Sequence, residues 1–287
     1  MTKMRLSRFA RYRWHFGLLG AALVTSLPLS ILAGEGRNET QENARLYEAC
    51  LERVEQNAEA ALEFARKWNI EAHGLAGARH CEALALLALN RAQEAAELLE
   101  EEAEKVLRGD GLDDKSPEEQ RGLSLQLFIQ AALAWRQDGN EDRAYSAISS
   151  ALARAGGGGT PAAGVDNNLV YELYLERGRI QINRREFEAA LEDFTLAIDQ
   201  NPERGEGFLE RARLFRQKKN YPAARLDLKA AAGIAPDDPE ILLESGIVYR
   251  LLGDKDSARA EWQKIIDTHP DSAFADLARE NIGLLNR

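Results

Sequence analysis

The stretch that decides the fold runs over residues 171–272 and divides into three blocks of 34 residues. The blocks read YELYLERGRIQINRREFEAALEDFTLAIDQNPER (171–204), GEGFLERARLFRQKKNYPAARLDLKAAAGIAPDD (205–238) and PEILLESGIVYRLLGDKDSARAEWQKIIDTHPDS (239–272). Five residue classes recur in one register: Pro202, Pro236 and Pro270; Ala190, Ala224 and Ala258; Phe194, Leu228 and Trp262; Gly178, Ala212 and Gly246; Tyr174, Phe208 and Leu242. Because all five keep one interval, the stretch is an internal repeat, which is typical of a solenoid of stacked units.

Each recurring class has a mechanical role in a pair of antiparallel helices. Small residues at the eighth and twentieth positions of a block let two helices approach closely. Large apolar residues at the fourth and twenty-fourth positions fill the space between helices. The proline ends one block and starts the next helix. The blocks therefore predict three helix pairs.

At these residues the sequence resembles the tetratricopeptide repeat family. That family's pattern has an aromatic residue, then Leu-Gly, Tyr, Ala, an aromatic residue, Ala and Pro. The chain departs from it at the seventh position, where Arg177, Arg211 and Ser245 replace the usual Leu, and at Gln181, which replaces an aromatic residue. We expect looser packing there, or arginine stems that reach out to solvent.

The same template finds weaker units at 125–158, 76–109 and 42–75, and residues 273–287 read as a helix that covers the last unit. We therefore predict an all-α, right-handed superhelical solenoid of antiparallel helix pairs, with about six units and a C-terminal capping helix. The degenerate units would span 42–158 and the three regular units 171–272.

Two segments interrupt the repeats. Residues 110–124 contain Ser116-Pro117-Glu118-Glu119, which predicts a capping box and a long helix that continues into the 125–158 unit. The Gly-rich run that starts at Gly156 predicts a flexible connector, which we place at 159–170. The connector either separates two halves or is a long loop on a continuous superhelix, and we favour the loop.

The N-terminus has the pattern of an export signal. Residues 1–15 hold five cations and no acid, and residues 16–33 are 18 uncharged, mostly apolar residues. This order is typical of a secretory signal, which we expect to be cleaved after Ala33. The alternative is an uncleaved membrane anchor, because 18 residues are near the lower limit for a span. Either form places the rest of the chain in the periplasm or outside the cell.

The charge balance argues against nucleic acid as a partner. The whole chain has 47 Asp and Glu against 37 Lys and Arg, a formal net charge of −10. Without the five cations of the leader, the remaining chain carries 47 acids against 32 bases, or −15. Such a surface repels phosphate backbones.

Cys50 and Cys81 are the only cysteines in the chain. An even count in an exported protein favours a disulfide. The repeat register places both on the first helices of adjacent units, which run side by side. Two free buried thiols are the main alternative. A metal site with His80 would lack usable ligand spacing.

The motifs for catalysis are missing from the sequence. No nucleophile-elbow, zinc-protease, phosphate-loop or dinucleotide pattern occurs, and His80 beside Cys81 does not form a helical pair that could cooperate. Asp110, Asp113 and Asp114 lack the pattern of a Ca²⁺ loop. We therefore expect no enzyme activity, metal or cofactor, although paired carboxylates in 42–170 keep an enzyme as a distant alternative.

The resemblance implies a peptide-binding groove on the first helices. In the family, positions two, five, nine, twelve and thirteen line the concave face. These positions give the candidate groove Arg136, Leu175, Arg179, Ile182, Leu209, Arg213, Arg216, Leu243, Ile247 and Arg250. Arginine can hold carboxylates bidentately. The competing interpretation is that these arginines pair with Glu172, Glu206 and Glu240 and give a neutral, solvated face.

The function that this resemblance implies is protein docking without chemistry. We expect an exported scaffold or adaptor that binds a protein or peptide with acidic and apolar groups, in the assembly of an envelope complex. A membrane-anchored subunit with the same domain, held by residues 16–33, is the alternative.

Overall fold

A computed structural model of the 287-residue chain describes residues 37–72, 75–110, 115–156, 162 and 164–285. The predicted leader, Asp113, Asp114 and most of the Gly-rich run lie outside these residues. The described part contains thirteen α-helices and no strand, which confirms the all-α prediction.

The helices are named in chain order. They are α1 (Arg37–Gln56), α2 (Ala58–Glu71), α3 (Ala76–Ala88), α4 (Ala92–Arg108), α5 (Pro117–Asp138), α6 (Glu141–Ala155), α7 (Asn167–Asn183), α8 (Phe187–Gln200), α9 (Gly205–Gln217), α10 (Tyr221–Ile234), α11 (Pro239–Leu251), α12 (Lys255–Thr268) and α13 (Ala273–Leu285). The chain divides after Val165 into two compact units, which we describe separately.

The first unit contains α1 to α6. Each helix packs against the next one in the chain, and α1 also packs against α3. The long α5 starts at Pro117, inside the predicted insertion at 110–124. Ser116 accepts a bond from the Glu119 backbone N–H, and the Glu119 carboxylate accepts one from the Ser116 N–H at 2.8 Å. This reciprocal pair confirms the predicted capping box.

The second unit contains α7 to α13, and its packing repeats every two helices. Each helix contacts its successor, and the first helices of the last two repeats, α9 and α11, also contact each other. Turns of three residues join the two helices of each repeat, which makes each pair an antiparallel hairpin. The helix α13 packs on α11 and α12 and covers the end of the stack.

The two helices of a repeat meet at the eighth and twenty-fourth positions. A Cβ atom added to Gly178 would lie 2.5 Å from the Phe194 ring. One added to Gly246 would overlap the Trp262 ring. Both rings are fully buried, so an aromatic side chain occupies the space that a larger residue at position eight would need.

The arginines that replace the usual Leu at the seventh position form ion pairs inside each hairpin. Arg177 contacts Asp193 with bonds of 2.7 and 2.6 Å, and Arg211 contacts Asp227 with two bonds of 2.8 Å. Both carboxylates are buried, and burial raises the pKa of Asp193 in spite of its Arg177 partner. The stems do not simply reach solvent, because they carry a planar, bidentate contact between two helices.

The turns inside the repeats share one conformational requirement. The residue at position fifteen has a positive φ in five units: Asn90, Gly139, Arg185, Lys219 and Gly253. Asparagine and glycine adopt this left-handed region easily, whereas other L-residues pay about 1–2 kcal/mol for it. Arg185 and Lys219, with φ of 64° and 61°, are therefore the strained members of the series.

We expect Lys219→Gly to stabilise the chain by about 0.5–1 kcal/mol, because the relief of the left-handed strain exceeds the added chain entropy of glycine. The matched change, Gly253→Lys, introduces the same strain and should destabilise by about 1 kcal/mol. Urea unfolding of the three proteins measures both effects. Equal stability of all three would show that the turn conformation carries no strain.

Candidate peptide-binding groove

Three of the four predicted groove arginines of the second unit are held by carboxylates. Arg179 on α7 lies 2.6 Å from Glu206 and 2.9 Å from Glu210, both on α9. Arg213 on α9 repeats the pattern with a 2.7 Å contact to Glu240 on α11. These contacts run from the first helix of one repeat to the first helix of the next, so they fasten neighbouring repeats together.

The ion pairs between neighbouring repeats form a row along the unit, which we call the ladder of ion pairs. Two further arginines extend it. Arg216 pairs with Glu244, whose side chain is buried. Arg204, at the end of the first regular block, lies 2.5 Å from Glu172 and 3.2 Å from Glu206. Its guanidinium also lies 4.2 Å from the centre of the Tyr171 ring, within cation–π distance.

The pKa shifts follow from this partly buried network. Burial opposes the charge of Arg179, but Glu210 and Glu206 more than offset it, so its pKa is held above the ordinary value. The pKa of Arg213 is raised in the same way by Glu210 and Glu240, against burial. Burial, with Glu206 nearby, raises the pKa of the Glu172 carboxyl. Arg179 and Arg213 therefore stay charged and are already paired with carboxylates of the protein itself.

The structure corrects the prediction that Leu175 and Leu209 line the groove. Leu175 is fully buried and Leu209 is 5% exposed, so neither offers surface to a partner. Leu209 packs in one core cluster with Ile241 and Val248 of the following first helix. The physical reason is that position five lies in the gap between adjacent first helices, where it is covered.

One end of the groove keeps accessible groups. Leu243, Ile247 and Arg250 follow each other at intervals of four and three residues on α11, and so share a face. The two apolar residues are half-buried beside the Trp262 cluster, whereas Arg250 is exposed. The Arg250 side chain makes no hydrogen bond or ion pair with any residue that the structure describes.

The other two predicted groove residues lie elsewhere. Ile182 is half-buried near the end of α7. Arg136 is half-buried near the end of α5, in the first unit, and is described there by itself.

The disulfide is present as predicted. Cys50 on α1 and Cys81 on α3 are bonded, with their Cα atoms 6.3 Å apart. Both are fully buried. The bond joins the first helices of the two least regular units, and closes a loop over a sequence separation of 31 residues. Such a closure restricts the unfolded chain.

A buried row of hydrogen-bonded side chains, Tyr47, His80 and Gln130, lies beside this disulfide and was not predicted. The Nε2 atom of His80 lies 2.6 Å from Gln130 Oε1, and Nδ1 lies 2.6 Å from the Tyr47 hydroxyl. A carbonyl oxygen only accepts, so Nε2–H donates to Gln130 and Nδ1 accepts from Tyr47. These two hydrogen bonds therefore link α1, α3 and α5. Burial lowers the pKa of His80 to about 4 and raises that of Tyr47.

The remaining chemical candidates form no site among the residues described. Asp110 pairs with Arg108 at 3.0 Å, while Asp113 and Asp114 lie outside the described ranges. Within those ranges no three His, Cys, Asp or Glu side chains come close enough to hold a metal ion. No helix there is long and apolar enough to cross a membrane.

Comparison with known proteins agrees with this geometry. A family model described as tetratricopeptide repeat matches residues 240–272. No curated protein sequence gives a match to the chain.

Three solved structures have a similar fold at low sequence identity. BtubC from P. vanneervenii has a TM-score of 0.56 and 17% identity, over 83% of this chain and 92% of its own. PilF from Pseudomonas aeruginosa has a TM-score of 0.52 and 16% identity, over 86% and 99%. YrrB, described as a TPR protein with an unusual peptide-binding site, has a TM-score of 0.51 and 16% identity, over 75% and 97%.

Residues 240–272 therefore match the tetratricopeptide repeat family, and the fold is similar to that of solved structures over most of the chain, which confirms the predicted resemblance.

The buried His80 makes the first unit sensitive to acid. An unfolded histidine has a pKa near 6.5, whereas folded His80 has one of about 4. Between these values the unfolded state binds a proton that the folded state does not, so stability falls as the pH drops through this window. We expect a loss of about 2–3 kcal/mol between pH 7 and pH 4.5 from this group alone.

Urea unfolding of wild type and His80→Gln at both pH values tests this effect, because the glutamine does not titrate. The variant should lose less stability than wild type on acidification. An equal loss in the two proteins would contradict the assignment of a neutral, buried imidazole.

Proposed function

We propose that this protein is an exported scaffold that docks a partner protein of an envelope complex through the groove on the first helices of the second unit. The partner presents acidic and apolar groups. For this docking role the groove supplies a ladder of ion pairs and an apolar end.

The observation that carries the proposal is the end of the groove on α11. Arg250 is exposed without an ion pair among the described residues, and Leu243 and Ile247 lie half-buried on the same face. Leu251, 39% exposed, extends the apolar surface at the adjoining position. A cation beside an apolar strip fits a partner that has a carboxylate next to an aliphatic or aromatic side chain.

The arginines in the rest of the groove contribute less binding free energy than Arg250. A carboxylate from a partner would compete at Arg179 or Arg213 with Glu206 or Glu240. Such an exchange replaces one ion pair by a similar one and yields little free energy. Arg250 has no carboxylate to displace, so we place the first contact at α11 and treat the ladder as the rigid wall beside it.

The location outside the cytoplasm has two supports. The basic and apolar order of residues 1–33 is the pattern of an export signal. The Cys50–Cys81 bond suits an oxidising compartment, because disulfides rarely persist in the cytosol. Cleavage after Ala33 would release the protein, whereas retention of residues 16–33 would anchor the same domain to the membrane.

The test is a crosslinking pull-down from envelopes of cells that express the full-length chain. A partner protein should be recovered reproducibly by wild type, and Arg250→Glu should reduce its recovery about five- to thirtyfold. Reversal of this charge removes an attraction and adds a repulsion, together on the order of 1–2 kcal/mol. N-terminal sequencing of the same preparation distinguishes a chain that begins near Gly34 from an anchored one.

The matched control is Lys229→Glu, which makes the same charge change at an exposed residue on α10. It should leave recovery unchanged. Equal recovery by both variants would exclude α11 as the contact, and failure to recover any partner with wild type would overturn the scaffold proposal.

A further inference from the structure

Two cations occupy strained positions in successive turns of the second unit. Arg185 and Lys219 stand at position fifteen of their repeats, with φ of 64° and 61°, where the third regular repeat has Gly253 at φ 86°. Bulky side chains in this region cost about 1–2 kcal/mol each. The left-handed turn is a requirement shared by five of the units, and at Arg185 and Lys219 it is met by a long cation rather than by Gly or Asn.

Both side chains are available to a ligand. Arg185 and Lys219 are exposed, and the side chain of neither makes a hydrogen bond or ion pair with the residues that the structure describes. Their neighbours Arg184 and Lys218 differ, since they pair with Glu186 and Glu188. Two of these four cations are therefore neutralised within the protein, and two remain.

The turns lie beside each other on one edge of the unit. The ion pair between Lys218 and Glu188 crosses from the second regular repeat to the first, which fixes the two turns as neighbours. We call residues 184–186, 218–220 and 252–254 the turn edge. Its third member carries Leu252, 38% exposed, at the register position of Arg184 and Lys218. The first two turns of the edge carry a net positive charge, and the third combines the exposed Leu252 with Asp254, whose carboxylate accepts from the Ser257 N–H.

We propose that the turn edge binds an acidic segment of a partner protein, with carboxylates on Arg185 and Lys219 and an apolar side chain on Leu252. Adjacent packed helices lie about 8–10 Å apart, and a segment in polyproline II conformation advances about 3.1 Å per residue with three residues per turn. A bound segment of this kind would therefore present its three contact groups on one face at intervals of about three residues. This surface is separate from the groove and does not depend on the function proposed for it.

The charge of the whole protein favours a peptide over a membrane as the occupant. Recognition of anionic lipid commonly uses clusters of four to eight cations. The turn edge offers two uncommitted cations, on a chain that carries −15 beyond its leader. A short acidic segment matches this local charge, whereas a large anionic surface would meet the surrounding acids as well.

The test measures binding of a fluorescent dodecapeptide that has Asp at positions 3 and 6, Leu at position 9 and Ser elsewhere. The full-length chain is compared with the double variant Arg185→Gly/Lys219→Gly. We expect affinity to fall about tenfold, as the loss of two exposed ion pairs implies. Because both changes relieve left-handed strain, the variant should remain folded, which urea unfolding checks.

Two controls make the result specific. Lys229→Ala removes an exposed cation from α10 and should leave affinity unchanged. A peptide with Asn in place of Asp should bind about tenfold more weakly to wild type. The proposal is overturned if wild type does not bind the peptide, if the double variant binds it equally well, or if phosphatidylglycerol vesicles bind in preference to the peptide.

Discussion

The close approach of two helices at the eighth and twenty-fourth positions is the constraint on which the rest of the second unit depends. Gly178 leaves room for Phe194, and Gly246 for Trp262, so the first and third hairpins each close around one buried aromatic ring, while Ala212 and Leu228 take these positions in the second. Once the hairpins are fixed, the 34-residue interval places every first helix, every second helix and every turn in equivalent positions. The candidate groove and the turn edge are both products of this register, because each collects residues that stand at one position of successive repeats.

Charge in this acidic protein is used mainly to hold its own helices together. Arg177 and Arg211 join the two helices of a hairpin through Asp193 and Asp227, and Arg179 joins one repeat to the next through Glu206. Partly buried pairs of this geometry gain from bidentate contact but give little net free energy over apolar packing. Their consequence for function is that most arginines are already committed. Exposed cations without such a pair, such as Arg250 on α11, are therefore the better candidates for contact with a partner.

The sequence predicted what periodicity and local chemistry determine. The 34-residue interval predicted the helix pairs, the Ser116 to Glu119 pattern predicted a capping box, and the cysteine register predicted the Cys50–Cys81 bond. It did not predict which side chains are covered. Leu175 was assigned to the groove because position fixes the helix face, but burial depends on how closely the next helix packs. The Arg177–Asp193 contact had a detectable signal, since Arg and Asp recur sixteen residues apart in two blocks. The left-handed turns at Arg185 and Lys219 had a signal too, in the aligned Gly253.

The central claim is that this protein acts by docking another protein on the groove and the turn edge of its second unit. Hydrogen–deuterium exchange of the full-length chain, alone and with the partner recovered from envelopes, tests it most directly. We predict slower exchange on binding in α11 and in the neighbouring turns at 218–220 and 252–254, with α10 unchanged. Protection confined to α10, or to helices of the first unit, would contradict the claim, as would unchanged exchange throughout the chain.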